Sequence, residues 1–461
     1  MSKKLLVLLS MMMVLALILA ACGGTEEEEP AEVIRITAEP PEETMEEGMG
    51  ETGPGTYLDR AYAGEFENSS LTIMSVWPDE EISVFNESLA PFKEATGINI
   101  STEGSGDFET LIIVRTEAGD PPDMAIFPQP GLMADFANQD HLADLTEILD
   151  MSALGESYSS AWTDLGTVDG TLVGLPYRVQ TKSLVFYEPE KWAEFGYEPP
   201  ETWDEMIALM DEMVANGHTP WCIPLENSGA TGWVATDWVE EIVLRTAGPE
   251  VYDQWISHEV KFSDPEIKAA IEQMGEIWLN PDYVLGGTTG ILTTWIGEVG
   301  ALFDDAETGC MMHRQAGWIT AFFPEEVEPE TQSALFYFPQ IDEAQGKPVL
   351  GAGDIVSAFN TDPEVRALME YLATPQAAEA WVKAGGLISP NSDVPYDWYQ
   401  SELTRTQAEM MQEASVLRFD ASDLMPGPVG TGSFWTGMVD YVGGADLDTV
   451  LADIDASWPT E

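Results

Sequence analysis

The chain has 461 residues and little positive charge: 18 Lys and Arg stand against 82 Asp and Glu, a formal net charge of -64. A solvated surface of that sign repels phosphate backbones and anionic headgroups, which excludes nucleic acid and direct electrostatic binding to a membrane. Cysteine is scarce, with three residues, so the fold is no disulfide-dense scaffold. Histidine is scarce too, with four residues, and neither a metal site nor a cofactor is expected. No G-x-S-x-G elbow and no H-E-x-x-H helix occurs. The longest apolar run near the start, Leu5 to Leu19, is too short to span a bilayer comfortably. What is present is 44% hydrophobic and 10% aromatic residues, in a chain long enough for two sizeable cores.

The N-terminus is a targeting segment. Lys3 and Lys4 precede the apolar run, and Leu19-Ala20-Ala21-Cys22-Gly23 ends it with small residues and a cysteine. This resembles a bacterial lipoprotein signal, residues 1–22, with Cys22 as the lipidated first mature residue. The membrane is then reached only through a lipid anchor. Residues 23–69 read as an acidic, disordered tether. Stretches such as "TEEEEP" and "EPPEETMEEGMGETGPG" cannot bury enough surface to offset chain entropy. With Cys22 lipidated, Cys222 and Cys310 remain in an oxidising compartment, where leftover cysteines pair.

The body begins with "LTIMSV", an amphipathic segment over 80–95, and "GINIST". A helical "DFETLIIVRTEAG" and a buried strand "PPDMAIF" follow. This βαβαβ order predicts a parallel sheet with helices on both faces and a ligand beyond the strands' carboxyl ends. Thr202 to Glu205 form a capping box. Asp264-Pro265 and Asp362-Pro363 open two further helices. Strand-like runs are "SLVFY" (Ser183 to Tyr187), "VGALF" (Val299 to Phe303), "ALFYF" (Ala334 to Phe338) and "IVSAF" (Ile355 to Phe359). One compact domain of this size is disfavoured, so two α/β lobes are expected.

Fifteen tryptophans is a high number, and four lie in Gly- or Pro-rich stretches where a loop is expected: Trp77, Trp233, Trp318 and Trp435. A tryptophan on a loop presents a flat apolar face with a donor at its edge, which suits the C–H face of a sugar ring. Planar polar side chains share these stretches: Asp79, Gln129, Asp354, Arg418 and Asp420. Each can engage two neighbouring hydroxyls.

On "PPDMAIFPQPGLMADFA", "LPYRVQTKSLVFYEP", "PWCIPLENSGATGWVATDWVEEIVLR", "GCMMHRQAGWITAFFP", "PVLGAGD" and "LRFDASDLMPGPVGTGSFW", the body resembles the family 1 extracellular solute-binding proteins of carbohydrate ABC importers. Within that family it is similar to the α-glucoside-binding proteins. The resemblance implies a two-lobed, periplasmic-binding-protein-like α/β fold of type II, like that of maltose-binding protein, with a hinge and a ligand cleft between the lobes. It implies an N-terminal lobe of residues 70–180 and 342–388 and a C-terminal lobe of 181–341 and 389–461. Trp318 and Trp435 would stack on sugar rings, with Trp233 on the same wall. Trp77 and Gln129 would face them from the first lobe. Asp354, Arg418 and Asp420 would bond hydroxyls, with Lys182 beside the first crossing. The implied protein is a monomer that binds a disaccharide or oligosaccharide, hands it to the importer's permease and catalyses nothing.

Two rival readings are a glycoside hydrolase and a binding lipoprotein for another solute, such as a peptide or polyamine. A hydrolase needs two carboxylates at a set separation, and among 82 acidic residues no spacing singles a pair out. In "GCMMHRQAGW" the side chains are expected to separate: Cys310 to pair, Met311 and Met312 to fill core, His313 and Arg314 unassigned, and Trp318, the least reactive, to touch ligand.

Overall fold

The computed structural model describes residues 56–459. The signal segment and Cys22 lie outside the described residues. The folded body starts earlier than Ser70. Tyr57–Tyr62 (α1) is a helix, opened by a capping box between Thr56 and Asp59. It is held down by Glu370, whose carboxylate accepts the backbone N–H groups of Tyr57 and Leu58 at 3.2 and 2.7 Å. The Arg366 guanidinium lies 5.2 Å from the centre of the Tyr57 ring. The segment expected to be disordered to residue 69 is therefore ordered at least from Thr56, because "YLDRAY" has a cap and a packed aromatic face.

The first sheet follows the expected order: Ser70–Ser75 (β1), Asp79–Thr96 (α2), Asn99–Gly104 (β2), Phe108–Glu117 (α3), Met124–Phe127 (β3) and Pro130–Ala137 (α4). Both β2 and β3 pair parallel to β1. Phe85, Leu89 and Phe92 of α2 fill one core, while Phe108 and Ile112 of α3 fill another with Phe136 of α4. Two separate cores on a shared sheet are what helices on both faces require.

Gly174–Thr181 (β4) and Leu184–Tyr187 (β5) are joined through Lys182 and Ser183, and the chain there passes from the first sheet to the second. The second lobe contains Trp203–Ala215 (α5), Thr219–Trp221 (β6), Trp233–Thr246 (α6), Pro265–Trp278 (α7), Cys310–Arg314 (β7) and Ala334–Tyr337 (β8). Its sheet has the order β8-β5-β7-β6. The Thr202–Glu205 capping box opens α5 as expected, and Pro265 is the first residue of α7. Around them Trp221, Trp238, Trp255 and Trp278 build one large apolar core. Met311 and Met312 are buried in it.

Val299–Phe303 is not a strand: Gly300–Leu302 form a single 3₁₀ turn. The backbone bonds there are local, Leu302 N–H to Val299 and Phe303 N–H to Gly300 at 3.0 and 2.9 Å, and the Lys191 ammonium ties the Leu302, Asp304 and Cys310 carbonyls together at 2.5, 3.0 and 3.1 Å.

The chain returns through Pro348–Ala358 (β9), continues into Pro363–Leu372 (α8), and crosses again at Val416–Phe419 (β10) before Ala421–Leu424 (α9) and Trp435–Val442 (α10). Strand β9 pairs antiparallel with β4 and β3 and parallel with β10. Two parts of the segment 389–461 thus belong with the first lobe rather than the second. Strand β10 pairs into the first sheet, and Val394 and Tyr399 pack in the core of α2. The register of β9 against β4 shifts between Asp354 and Ile355. Such a bulge turns a side chain out of its alternation and re-aims it.

Candidate ligand-binding cleft

A cavity of about 500 Å³ lies between the two sheets, lined by both lobes. From the first lobe come the ends of β1, β2 and β3: Trp77 to Glu81, Gly104 to Gly106, and Gln129, together with Glu109 on α3. Strands β4 and β9 add Arg178, Gln180 and Asp354. The second lobe supplies Lys182, Trp233, Trp295, Trp318, Phe322, Asp423 and Trp435. The carboxyl ends of a parallel sheet are the expected ligand position, because that is where successive loops can splay apart.

The aromatic wall is on the second lobe. Trp233 and Trp318 have ring centres 6.1 Å apart, Trp318 meets Phe322 edge-on at 5.4 Å, and Phe322 meets Trp295 at 5.5 Å. Trp295 is 43% exposed and had no signal beyond being one of fifteen tryptophans. The four tryptophans expected on loops sit differently. Trp233 and Trp435 are the first residues of helices α6 and α10, and Trp318 lies in a 3₁₀ stretch. Only Trp77 is on a loop. Gly232 permits the close meeting of the two helix starts. It has φ 127°, and a Cβ on it would lie 2.4 Å from the Trp435 carbonyl oxygen. Trp435 is 2% exposed and offers the cleft one edge, while its Nε1 donates to Ser422 Oγ at 3.4 Å.

The first lobe presents polar groups. Trp77 is core rather than a stacking platform: it is 1% exposed and packs edge-on against Phe85 and Trp381. Its Nε1 donates to Asp354 Oδ1 at 3.2 Å. Arg178, which sequence reasoning missed, bonds Asp354 Oδ2 at 2.5 Å and Glu81 Oε1, between the rings of Trp77 and Trp381. All eight residues of β4 are buried, so a cation there needs such partners. Burial pushes the Glu81 carboxyl up despite the bridge, while Asp354 and Glu81 raise Arg178 against its own desolvation.

Arg418 does not reach the cleft. Its guanidinium holds Asp253 in a bidentate pair at 2.7 and 2.9 Å on the surface. Alternation along β10 sends Phe419 inward and Arg418 outward. Asp420 also leaves the lining. It is buried one layer behind, where it accepts from Lys182 Nζ at 2.5 Å and from Ser422 Oγ at 2.8 Å. These bonds hold its carboxyl down, at about 2, against its own burial. Three residues on, Asp423 occupies the lining instead. Lys182 bonds Asp237 at 2.8 Å as well, and its ammonium lies 5.0 Å from the Trp233 ring centre. Burial pushes Asp237 up to about 7. Carboxylates of Asp237, Glu240 and Asp420 lie close enough to share a cation, and the Lys182 ammonium stands among them in that role.

The cysteine pair expected from the compartment is present: Cys222 and Cys310 form a disulfide with Cα atoms 5.6 Å apart. Beside it His313 Nδ1 lies 3.1 Å from the Cys222 carbonyl. Burial takes its pKa down to about 4, so the ring is neutral and structural. Arg314 donates to Glu241 at 3.0 Å inside the second lobe.

A two-lobed α/β body with crossing strands and an aromatic-walled cleft defines a solute receptor of the maltose-binding-protein-like fold. The chain belongs to the bacterial extracellular solute-binding protein family, whose family model matches residues 77–379. It is 47% identical to the osmoprotective compounds-binding protein GgtB of Synechocystis over 86% of this chain and 94% of that one. It is 38% identical to the alpha-glucosides-binding periplasmic protein AglE of Rhizobium meliloti over 86% and 88%. Among solved structures, a chitin oligosaccharide binding protein superposes with TM-score 0.72 at 19% identity, covering 84% of this chain and 97% of that one. Maltose-bound MalE3 of T. maritima gives 0.66 at 17%, covering 84% and 98%. These define the protein as a solute-binding component of an ABC importer, and its relatives are binding proteins rather than enzymes. No helix among the described residues is long and apolar enough to cross a membrane.

Proposed function

We propose that this protein is a lipid-anchored extracellular receptor for small α-glucosides, including those that serve as osmoprotectants, and that it passes them to the permease of its importer. The observation that carries the reading is the division of the cleft. Trp233 and Trp318 form an apolar wall on one lobe, and Gln129, Asp354 and Glu109 present planar polar groups on the other. A pyranose has both kinds of surface, an apolar C–H face and a rim of hydroxyls. A cavity of about 500 Å³ is of the size that encloses a small ligand. The names of the two relatives, one for osmoprotective compounds and one for α-glucosides, meet in this ligand class. We further assign 70–180 with 342–388 to the first lobe, extended by 56–69, 389–399 and β10, and the rest of the body to the second. Cys22 carries the lipid.

A cationic solute is the competing reading, since tryptophan faces and carboxylates also suit ammonium groups. Two of the aromatic faces are already occupied by the protein's own cations, Lys182 over Trp233 and Arg178 over Trp77. Calorimetry with trehalose, sucrose and maltose against spermidine and glycine betaine separates the readings. Heat from the glucosides alone is expected, and heat from spermidine or betaine alone would overturn the assignment. Membrane retention of the full chain, lost in Cys22→Ser, checks the anchor.

Trp318→Ala tests the wall. The ring is half-buried at the cleft, so its loss is expected to weaken glucoside binding by about 2 kcal/mol, roughly 30-fold. Thermal stability should hardly move. Unchanged affinity in titration calorimetry would remove Trp318 from the site. Trp435→Ala is a poorer probe, because that ring is buried and its removal also opens a core cavity.

A further inference from the structure

Of the buried acids that line the cleft, Glu81 and Asp354 share Arg178, and behind them Asp237 and Asp420 share Lys182. Asp423 and Glu109 line it with no such ion pair among the described residues, and of these two Glu109 has a bare buried oxygen. It stands in the first turn of α3 and is 8% exposed, and among the described residues it pairs with no Lys, Arg or His. Its Oε1 accepts from Gln129 Nε2 at 2.9 Å. Its Oε2 and the Oε1 of Gln129 are both buried without any hydrogen-bond partner, and both residues line the cleft. Two neighbouring acceptors left bare in this way cost the empty protein stability. A fold keeps such a defect where something else completes it.

We propose that Glu109 and Gln129 together form the acceptor pair of the site, taking two hydroxyl hydrogens of the bound solute. This deepens the reading of the cleft as a sugar site and rests on it. The pair offers acceptors only, so its complement is a group with two adjacent donors. A vicinal diol fits. A quaternary ammonium, with no N–H, leaves both oxygens unsatisfied. The pair thus favours a donor-bearing solute such as a polyol ring over a quaternary ammonium, which the aromatic wall alone would not distinguish.

The charge state of Glu109 supplies a readout that a structural residue would lack. Burial pushes its carboxyl above the usual range, and Asp107 at the N-terminal cap of α3 adds to this. Asp423, facing the cleft from α9, is pushed well up by burial and by Asp420, with Glu109 adding to it. The Ser228–Ala230 turn and β1, which pack against α3, carry no titratable side chain. Hydroxyl donors favour the ionised carboxylate, so binding should release a proton near the raised pKa. Affinity should then rise with pH through that range.

The test is titration calorimetry with trehalose, sucrose and maltose, in two buffers of different ionisation enthalpy, on the full chain and on Glu109→Gln and Glu109→Leu. Both variants are expected to bind at least tenfold more weakly and to lose the proton release. Without ligand, Glu109→Gln should melt at or above the parent, because a bare buried carboxyl is gone while Gln129 Nε2 keeps an acceptor; Glu109→Leu strands that donor and is read for affinity and proton release alone. Parent-like affinity in Glu109→Gln would overturn the assignment and leave the sugar reading standing. So would lower ligand-free stability in Glu109→Gln, which would make Glu109 a structural residue. If the parent binds none of the three sugars, the sugar reading falls and the assignment falls with it.

Discussion

Arg178→Met is expected to lower the stability of the protein by about 3–5 kcal/mol and to abolish solute binding. The guanidinium is the one cation serving two buried carboxylates, Glu81 and Asp354. Methionine keeps much of the apolar stem between Trp77 and Trp381 but leaves both acids uncompensated. Removing one partner of a buried ion pair costs far more than the pair itself contributes. The deficit should depend on pH. In the variant Glu81, pushed up by burial, also loses the Arg178 cation that draws it down, so its folded pKa lies further above its unfolded one. The folded form then binds more protons than the unfolded form, and stability falls as pH rises through those values. The gap between variant and parent should therefore be smaller at acid pH than at neutral pH. The triple variant Glu81→Gln, Arg178→Met, Asp354→Asn, with no buried charge left, should regain most of the stability. It should not regain binding, since the Asp354 carboxylate at the cleft is gone. Urea denaturation at several pH values measures the first effect, and a loss under about 1 kcal/mol at neutral pH would show that the cluster is not the anchor described.

The second large effect is expected from the disulfide. It links residues 88 apart, and the loop-entropy model puts its contribution at roughly 4–5 kcal/mol. Both sulfurs are buried among Leu184, Phe186, Leu302 and Phe323, and neither cysteine lines the cleft. The double variant Cys222→Ala, Cys310→Ala should therefore lose several kcal/mol in denaturant titration while its folded fraction binds solute with parent-like affinity. A reductant should weaken the parent and leave the variant unchanged. Equal stability of variant and parent would show that reduced β6 and β7 keep the same register unaided, through their parallel pairing and the bond from Cys222 N–H to Met312.

The local elements were legible because their signals are local. The alternation of "LTIMSV", the Thr202–Glu205 box and the Asp-Pro starts each depend on residues within one turn or one strand. The cysteine pair followed from compartment and number. The carboxyl ends of β1 and β3 pointed to "WPDEE" and "PQPG", and residues of both stretches line the cavity. The distribution of "RFDASD" was not legible. Arg418, Asp420 and Asp423 lie within six residues, yet one faces bulk solvent, one a buried lysine and one the cleft. A strand that ends and a helix that begins between them change the period from two to nearly four.

By itself the sequence determined the class of protein: a charge that excludes nucleic acid, two cysteines to pair, strands and helices in α/β order, and family segments along most of the body. Only the tertiary structure decided which side chains meet. Arg178 acquires Glu81 and Asp354 from positions 97 and 176 residues away, and Glu109 is left bare because no cation arrives beside it. Partner choice for a buried charge depends on which strands cross between the lobes. That crossing is set by pairings such as β4 with β9, between residues distant in the chain, and no local pattern of residues carries it.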